Sequence, residues 1–77
     1  MSEKTQIVFM QTRILRMASE EWNTTIQKAN AVFDKYNLLK FIEECFDVFH
    51  LEGDRAVFEE IQTVLRCKGV DISAEIV

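Results

Sequence analysis

No proline interrupts this chain of 77 residues, and Gly53 and Gly69 are its only glycines. A sheet of that length needs several tight turns, and such turns draw on glycine, Asn-Gly or proline. The chain is therefore read as helices joined by short connections, an all-α small helical bundle of three main helices plus one short helix. So short a domain buries only about 60% of the surface its unfolded chain exposes. It needs a dense core, or a second chain over what the core leaves out. Hydrophobic residues, 48% of the total and including six Phe, are the material for that core.

Apolar residues recur at the helical spacing of three and four. Ile7, Met10, Ile14, Met17 and Ala18 form one stripe, predicting a helix over about 3–20. Thr24 with Gln27 fits a capping box, with Asn23 and Thr25 as alternative caps. Ile26, Ala29, Val32, Phe33 and Tyr36 mark a second helix, stopped at Asn37, a residue that tolerates the left-handed conformation. Leu38, Leu39, Ile42, Cys45, Phe46 and Phe49 are the inward candidates of a short third helix over about 38–46, turning near Asp47 to His50. Glu52-Gly53-Asp54 is the plainest break, with Asp54 as the expected N-cap of a fourth helix over about 55–68. Gly69 stands where a helix ends in a left-handed glycine. The whole chain, 1–77, reads as one helical domain with its core in about 3–69, and the tail 70–77 is expected to be loosely ordered, a brief strand or partner contact being open to it. The expected core is Ile7, Met10, Ile14, Met17, Ile26, Phe33, Ile42, Phe46, Phe58, Ile61 and Leu65.

Charge narrows the partners. Nine basic residues face thirteen acidic ones, a net of −4, and the basic ones are scattered along the sequence. Nucleic acid calls for clustered Lys and Arg, and anionic lipid repels an acidic domain, so neither nucleic acid nor membrane is an expected partner. The first residues lack the basic start and long apolar run of a secretory signal. Cys45 and Cys67 do not make a disulfide framework. The expected setting is a reducing cytoplasm, with both thiols free and in structural, buried or half-buried positions.

The segment Phe46-Asp47-Val48-Phe49-His50, preceded by the Ile-Val-Phe-Met helix and followed by an amphipathic helix ending Leu-Arg-Cys-Lys-Gly, carries a likeness. It resembles a family of small bacterial proteins known only as a domain of unknown function, the one numbered 3791, over about 6–69. Phe46 stands where that pattern has Tyr, and Phe49 where it has Leu. The resemblance implies an all-helical fold with no assigned activity. It also implies genes set near those of larger ADP-ribosyltransferase-type proteins, hence a small partner or antitoxin-like role. No catalytic residue is carried over.

The residues themselves assemble no enzyme. Gly53 and Gly69 are isolated, so no phosphate loop exists. Glu52-Gly53-Asp54 lacks the alternating acids of a calcium loop, and one histidine without a nucleophile turn makes no Ser-His-Asp set. Neither a cofactor nor a metal is expected. His50 with Asp47 is the one possible polar site. Its plain reading is a partly buried histidine at a helix end, bonded to backbone carbonyls or to Asp47. A metal- or ligand-binding sensor would have only that histidine and its acidic neighbours to work with. Glu43, Glu44, Asp47, Glu52, Asp54, Glu59 and Glu60 crowd one stretch in which Arg55 is the only base. That is either a solvated face or one that steers a basic partner. Val8, Phe9, Leu15, Trp22, Phe41 and Val48 fall off the inward stripes. Exposed apolar surface of this kind marks an interface, with another protein or, in a homo-oligomer, with a second copy of the chain.

Overall fold

The structure, a computed structural model, describes residues 2–77. The described residues form six helices and no strand: α1 (Glu3–Glu21), α2 (Ile26–Lys35), α3 (Leu38–Glu44), α4 (Phe46–Phe49), α5 (Asp54–Cys67) and α6 (Ile72–Glu75). The all-α class holds; the count of three main helices plus one short helix does not. The third expected helix is split at Cys45, whose backbone (φ −100°, ψ 10°) leaves the helical range. The tail adds a helix of its own.

Left-handed residues end three helices. Asn23 (φ 53°) follows α1, Asn37 (φ 56°) follows α2 and Gly69 (φ 73°) follows α5. After α1 the amide of Thr24 donates to the Ser19 carbonyl at 2.9 Å and that of Asn23 to Glu20 at 3.2 Å. After α5 the same pattern joins Val70 to Leu65 and Gly69 to Arg66, both at 3.0 Å. This is the Schellman closure, which satisfies carbonyls a helix end leaves over. Thr24 is thus spent closing α1, so it does not head α2 in a capping box. Thr25 caps instead, its hydroxyl accepting from the Lys28 amide at 3.1 Å. At α5 the N-cap is Gly53, and Asp54 is the first helical residue.

α1 is the central element, packing against α2, α3 and α5. Ile7, Met10, Ile14 and Ala18 meet Ala29, Val32 and Phe33 of α2, Leu38 and Ile42 of α3, Phe46 and Phe49 of α4, and Val57, Phe58, Ile61 and Leu65 of α5 in one buried cluster. Two expected core residues lie elsewhere. Met17 is half-buried at the rim. Ile26 is 46% exposed because α2 starts there, leaving the first member of its stripe past the edge of the core.

The tail carries a turn of helix where a brief strand was one expectation. Val70, Ile72 and Ile76 pack on the core margin. The Asp71 side chain caps α6 through the Ser73 amide at 3.0 Å. Glu75 accepts from Lys35 Nζ at 2.9 Å and from the Tyr36 hydroxyl at 3.0 Å, which ties α6 to the end of α2. Cys67 is exposed rather than buried and Cys45 half-buried, both as free thiols. No helix of the described residues is long and apolar enough to cross a membrane.

Candidate functional site

The six apolar residues that sequence places off the inward stripes part into two sets. Trp22, Leu15 and Phe41 are half-buried against the core. Trp22 sits edge-on to Phe33 and tilted to Phe58, each with centroids 5.9 Å apart. Its indole N–H donates to Gln62 Oε1 at 3.2 Å, so this residue seals the core between α2 and α5. Phe41 meets Phe49 edge-to-face at 5.5 Å. These three pack against the core and keep only part of their surface exposed. Val8 (48%), Phe9 (48%) and Val48 (59%) are exposed, together with Leu51 (80%), which sequence did not single out as an interaction residue.

Phe9 is the one aromatic among the exposed large apolar side chains of the described residues. It lines an open groove of about 250 Å³ between α1 and the α4 segment, with Gln6, Met10 and Arg13 on one wall and Phe46, His50 and Glu52 on the other. α1 supplies its wall because positions 6, 9, 10 and 13 share a face at helical spacing. The groove thus joins two residues that sequence singles out for separate reasons, Phe9 and His50.

His50 is held at one end and open at the other. Its ring stacks on Phe46 with centroids 5.3 Å apart. Its Nδ1 lies 2.8 Å from the Phe46 carbonyl. A carbonyl only accepts, so Nδ1 carries the hydrogen and Nε2 is left for an outside partner. The plain reading of His50 is thereby met through the backbone, although the residue as a whole is exposed. Asp47 is not brought to it: Asp47 is exposed and does not line the groove. Among the described residues no three His, Cys, Asp or Glu side chains converge as metal ligands would.

A second groove, about 410 Å³, adjoins the first through Arg13 and runs between α1 and the start of α5. Here Arg13, Arg16 and Arg55 gather, so the basic residues are less scattered in space than along the chain. Sequence reasoning missed this because Arg55 stands some forty positions from its neighbours; the only local signal was Arg13 and Arg16 one turn apart. Glu20, Glu21 and Asp54 line the same groove. Arg13 Nε meets Asp54 at 3.0 Å, and Arg55 pairs with Glu21 and with Glu59. The Glu21 hydrogen bond holds the Arg55 guanidinium above its ordinary pKa. Three cations set among three acids make a neutral clamp between helices, without the net positive field that draws phosphates.

What fold and site define together is a small all-α domain with an aromatic side chain presented in an open groove along its central helix. The chain belongs to the DUF3791 family, described as a protein of unknown function, whose profile matches residues 9–68. The matched span runs from Phe9 to Lys68 and leaves Gln6 of the groove wall and α6 outside. None of the curated proteins and none of the solved structures compared with the chain matches it.

Proposed function

We propose that this chain is a protein-interaction module that binds another protein through the Phe9 groove. The observation that supports the reading is the half-exposed Phe9 ring beside Met10, Phe46 and His50. A ring in water forgoes the burial that rings elsewhere in the chain obtain, and aromatic residues set in grooves are the usual anchors of interfaces. At about 250 Å³ the groove is smaller than most small-molecule pockets, and it matches one or two inserted side chains better. Backbone and ring nitrogen add direction, since His50 Nε2 can meet one polar group of the partner. The antitoxin-like role implied by the family resemblance gives the partner a kind: an enzyme restrained by the bound chain, in a bacterial cytoplasm.

The test starts from solution mass by light scattering over a concentration series. A monomer is expected. Affinity capture with the chain then identifies the enzyme, and calorimetry compares wild type with Phe9→Asp. Loss of binding and of restraint in Phe9→Asp, with the helical circular dichroism retained, is the expected result. Equal binding by both forms overturns the assignment of this groove. A mass that doubles in wild type and not in Phe9→Asp gives the groove to a second copy and overturns the partner reading.

A further inference from the structure

α3, α4 and the turn after them carry a second exposed surface. Val48 and Leu51 are one helical turn apart, linked by the Leu51 amide donating to the Val48 carbonyl at 3.1 Å, and are 59% and 80% exposed. Glu43, Glu44, Asp47 and Glu52, each within five positions of Val48 or Leu51 in the sequence, are exposed too. None of these four carboxylates is in an ion pair among the described residues; the pairs formed are Arg13–Asp54, Lys35–Glu75, Arg55–Glu21 and Arg55–Glu59. The cation inside this stretch, Arg55, is therefore already engaged, and Lys40 on α3 forms no pair. Two apolar side chains in a field of unneutralised negative charge are left on a face that no element of the fold covers.

We propose that this face docks a basic amphipathic helix of the partner protein. The occupant follows from charge. A second copy meeting the same face across a two-fold axis would set four free carboxylates against four. Anionic lipid and nucleic acid are repelled in the same way. A helix with apolar residues at i and i+3 or i+4 covers Val48 and Leu51. Flanking Lys and Arg lay their stems along the apolar pair and bring their charges to Glu43, Glu44, Asp47 and Glu52. Glu52 also lines the Phe9 groove, so the two surfaces adjoin at that residue. The inference rests on the interaction-module reading and supplies the class of partner.

The probe is a synthetic peptide of about 18 residues, five turns as a helix, with leucine at i, i+3 and i+4 along one stripe, a few lysines flanking that stripe and alanine elsewhere. Its twin carries glutamate for lysine. Each is titrated into the isotope-labelled full chain and followed by amide shifts. The expected shifts concentrate in residues 43–52 for the lysine peptide and are absent for the glutamate twin. Val48→Asp with Leu51→Asp weakens binding about tenfold or more, and Glu43→Lys with Asp47→Lys does likewise; each pair sits on exposed positions, so the amide spectrum reports that the fold persists. Raising salt from about 50 to about 300 mM weakens binding several-fold, as screening requires. Shifts spread over the whole surface, or undiminished binding by Val48→Asp with Leu51→Asp, mean attraction to charge alone and overturn the inference. The captured enzyme separates the two readings. Binding lost in Phe9→Asp but intact in Val48→Asp with Leu51→Asp sinks this inference and leaves the module standing. Binding intact in both sinks both.

Discussion

The two ends of α1 are built on opposite terms. Trp22 and Phe9 are thirteen residues apart on this helix and its cap, about 20 Å at the helical rise. At the Trp22 end, the indole covers Phe33 and Phe58, whose exposures are 0% and 1%, and its N–H is bonded to Gln62. At the Phe9 end, aromatic rings also pair, Phe41 with Phe49 and Phe46 with His50, yet Phe9, Val48 and Leu51 remain in water. The difference separates two uses of apolar residues in one small chain. Those at the closed end hold the fold, and their removal is felt as lost stability. Those at the open end are far less buried, and their removal is expected to cost the fold little.

The largest effect belongs to the closed end. Phe33→Ala or Phe58→Ala removes a fully buried ring and leaves a cavity, which costs about 3–5 kcal/mol. Total stability of small domains is about 5–15 kcal/mol, so either variant should show a much lower urea midpoint. A loss below about 1.5 kcal/mol would show that the core collapses around the hole, and the closed end would not be the rigid one. Trp22→Phe keeps most of the ring area and loses the N–H. About 1 kcal/mol is expected from the hydrogen bond to Gln62. Gln62→Ala in the Trp22→Phe background should then add little of that interaction, and a fully additive second loss breaks the assignment of Trp22 as a bonded seal.

At the open end the expectation reverses. Phe9→Asp, Val48→Asp and Leu51→Asp should each stay within about 0.5 kcal/mol of wild type, the usual range for surface substitutions. A drop of about 2 kcal/mol in any of them would mean that the side chain is core after all. Flat stability alongside lost binding would sharpen the contrast between the ends to its limit.

Much of this division was legible in the residues and some was not. The stripes at three- and four-residue spacing gave the helices, because periodicity reports which face of a helix meets an apolar neighbour. Asn37 and Gly69 were readable as left-handed stops for the same local reason. Sequence leaves Thr24, Asn23 and Thr25 open as caps of α2; Thr25 is the cap and Asn23 the stop of α1, and the choice depends on where Thr24 sends its amide. Trp22 was beyond sequence reading, since a residue outside every stripe is covered or exposed according to how α2 and α5 close over it. Phe9 and Val48 lie off the stripes too, and there the helices do not close. His50 at the Phe9 groove and the Arg13–Arg16–Arg55 gathering both join residues some forty positions apart, and no local pattern carries such contacts.

The smallest expected effect concerns α6, which packs on the core margin and is tied to the end of α2. Hydrogen bonds from Lys35, then from the Tyr36 hydroxyl, hold the Glu75 carboxyl below its ordinary value of 4.5. A carboxyl with a lowered folded-state pKa favours the docked tail above its ordinary value, and that contribution fades as pH falls through the lower, docked value. The Glu75 hydrogen bond in turn holds Lys35 above 10.5, so its contribution is full below that value and fades as pH rises through the docked one. Amide exchange of Ile72–Glu75 should therefore be slowest, relative to the intrinsic rate, across the neutral range and lose protection towards strong acid. The surface exposure of this pair makes the change local, with α1–α5 unaffected. Glu75→Gln should remove the acid dependence while leaving the urea midpoint of the domain in place. If Glu75→Gln moves that midpoint, α6 is part of the cooperative core and the closed end of the molecule extends to the tail.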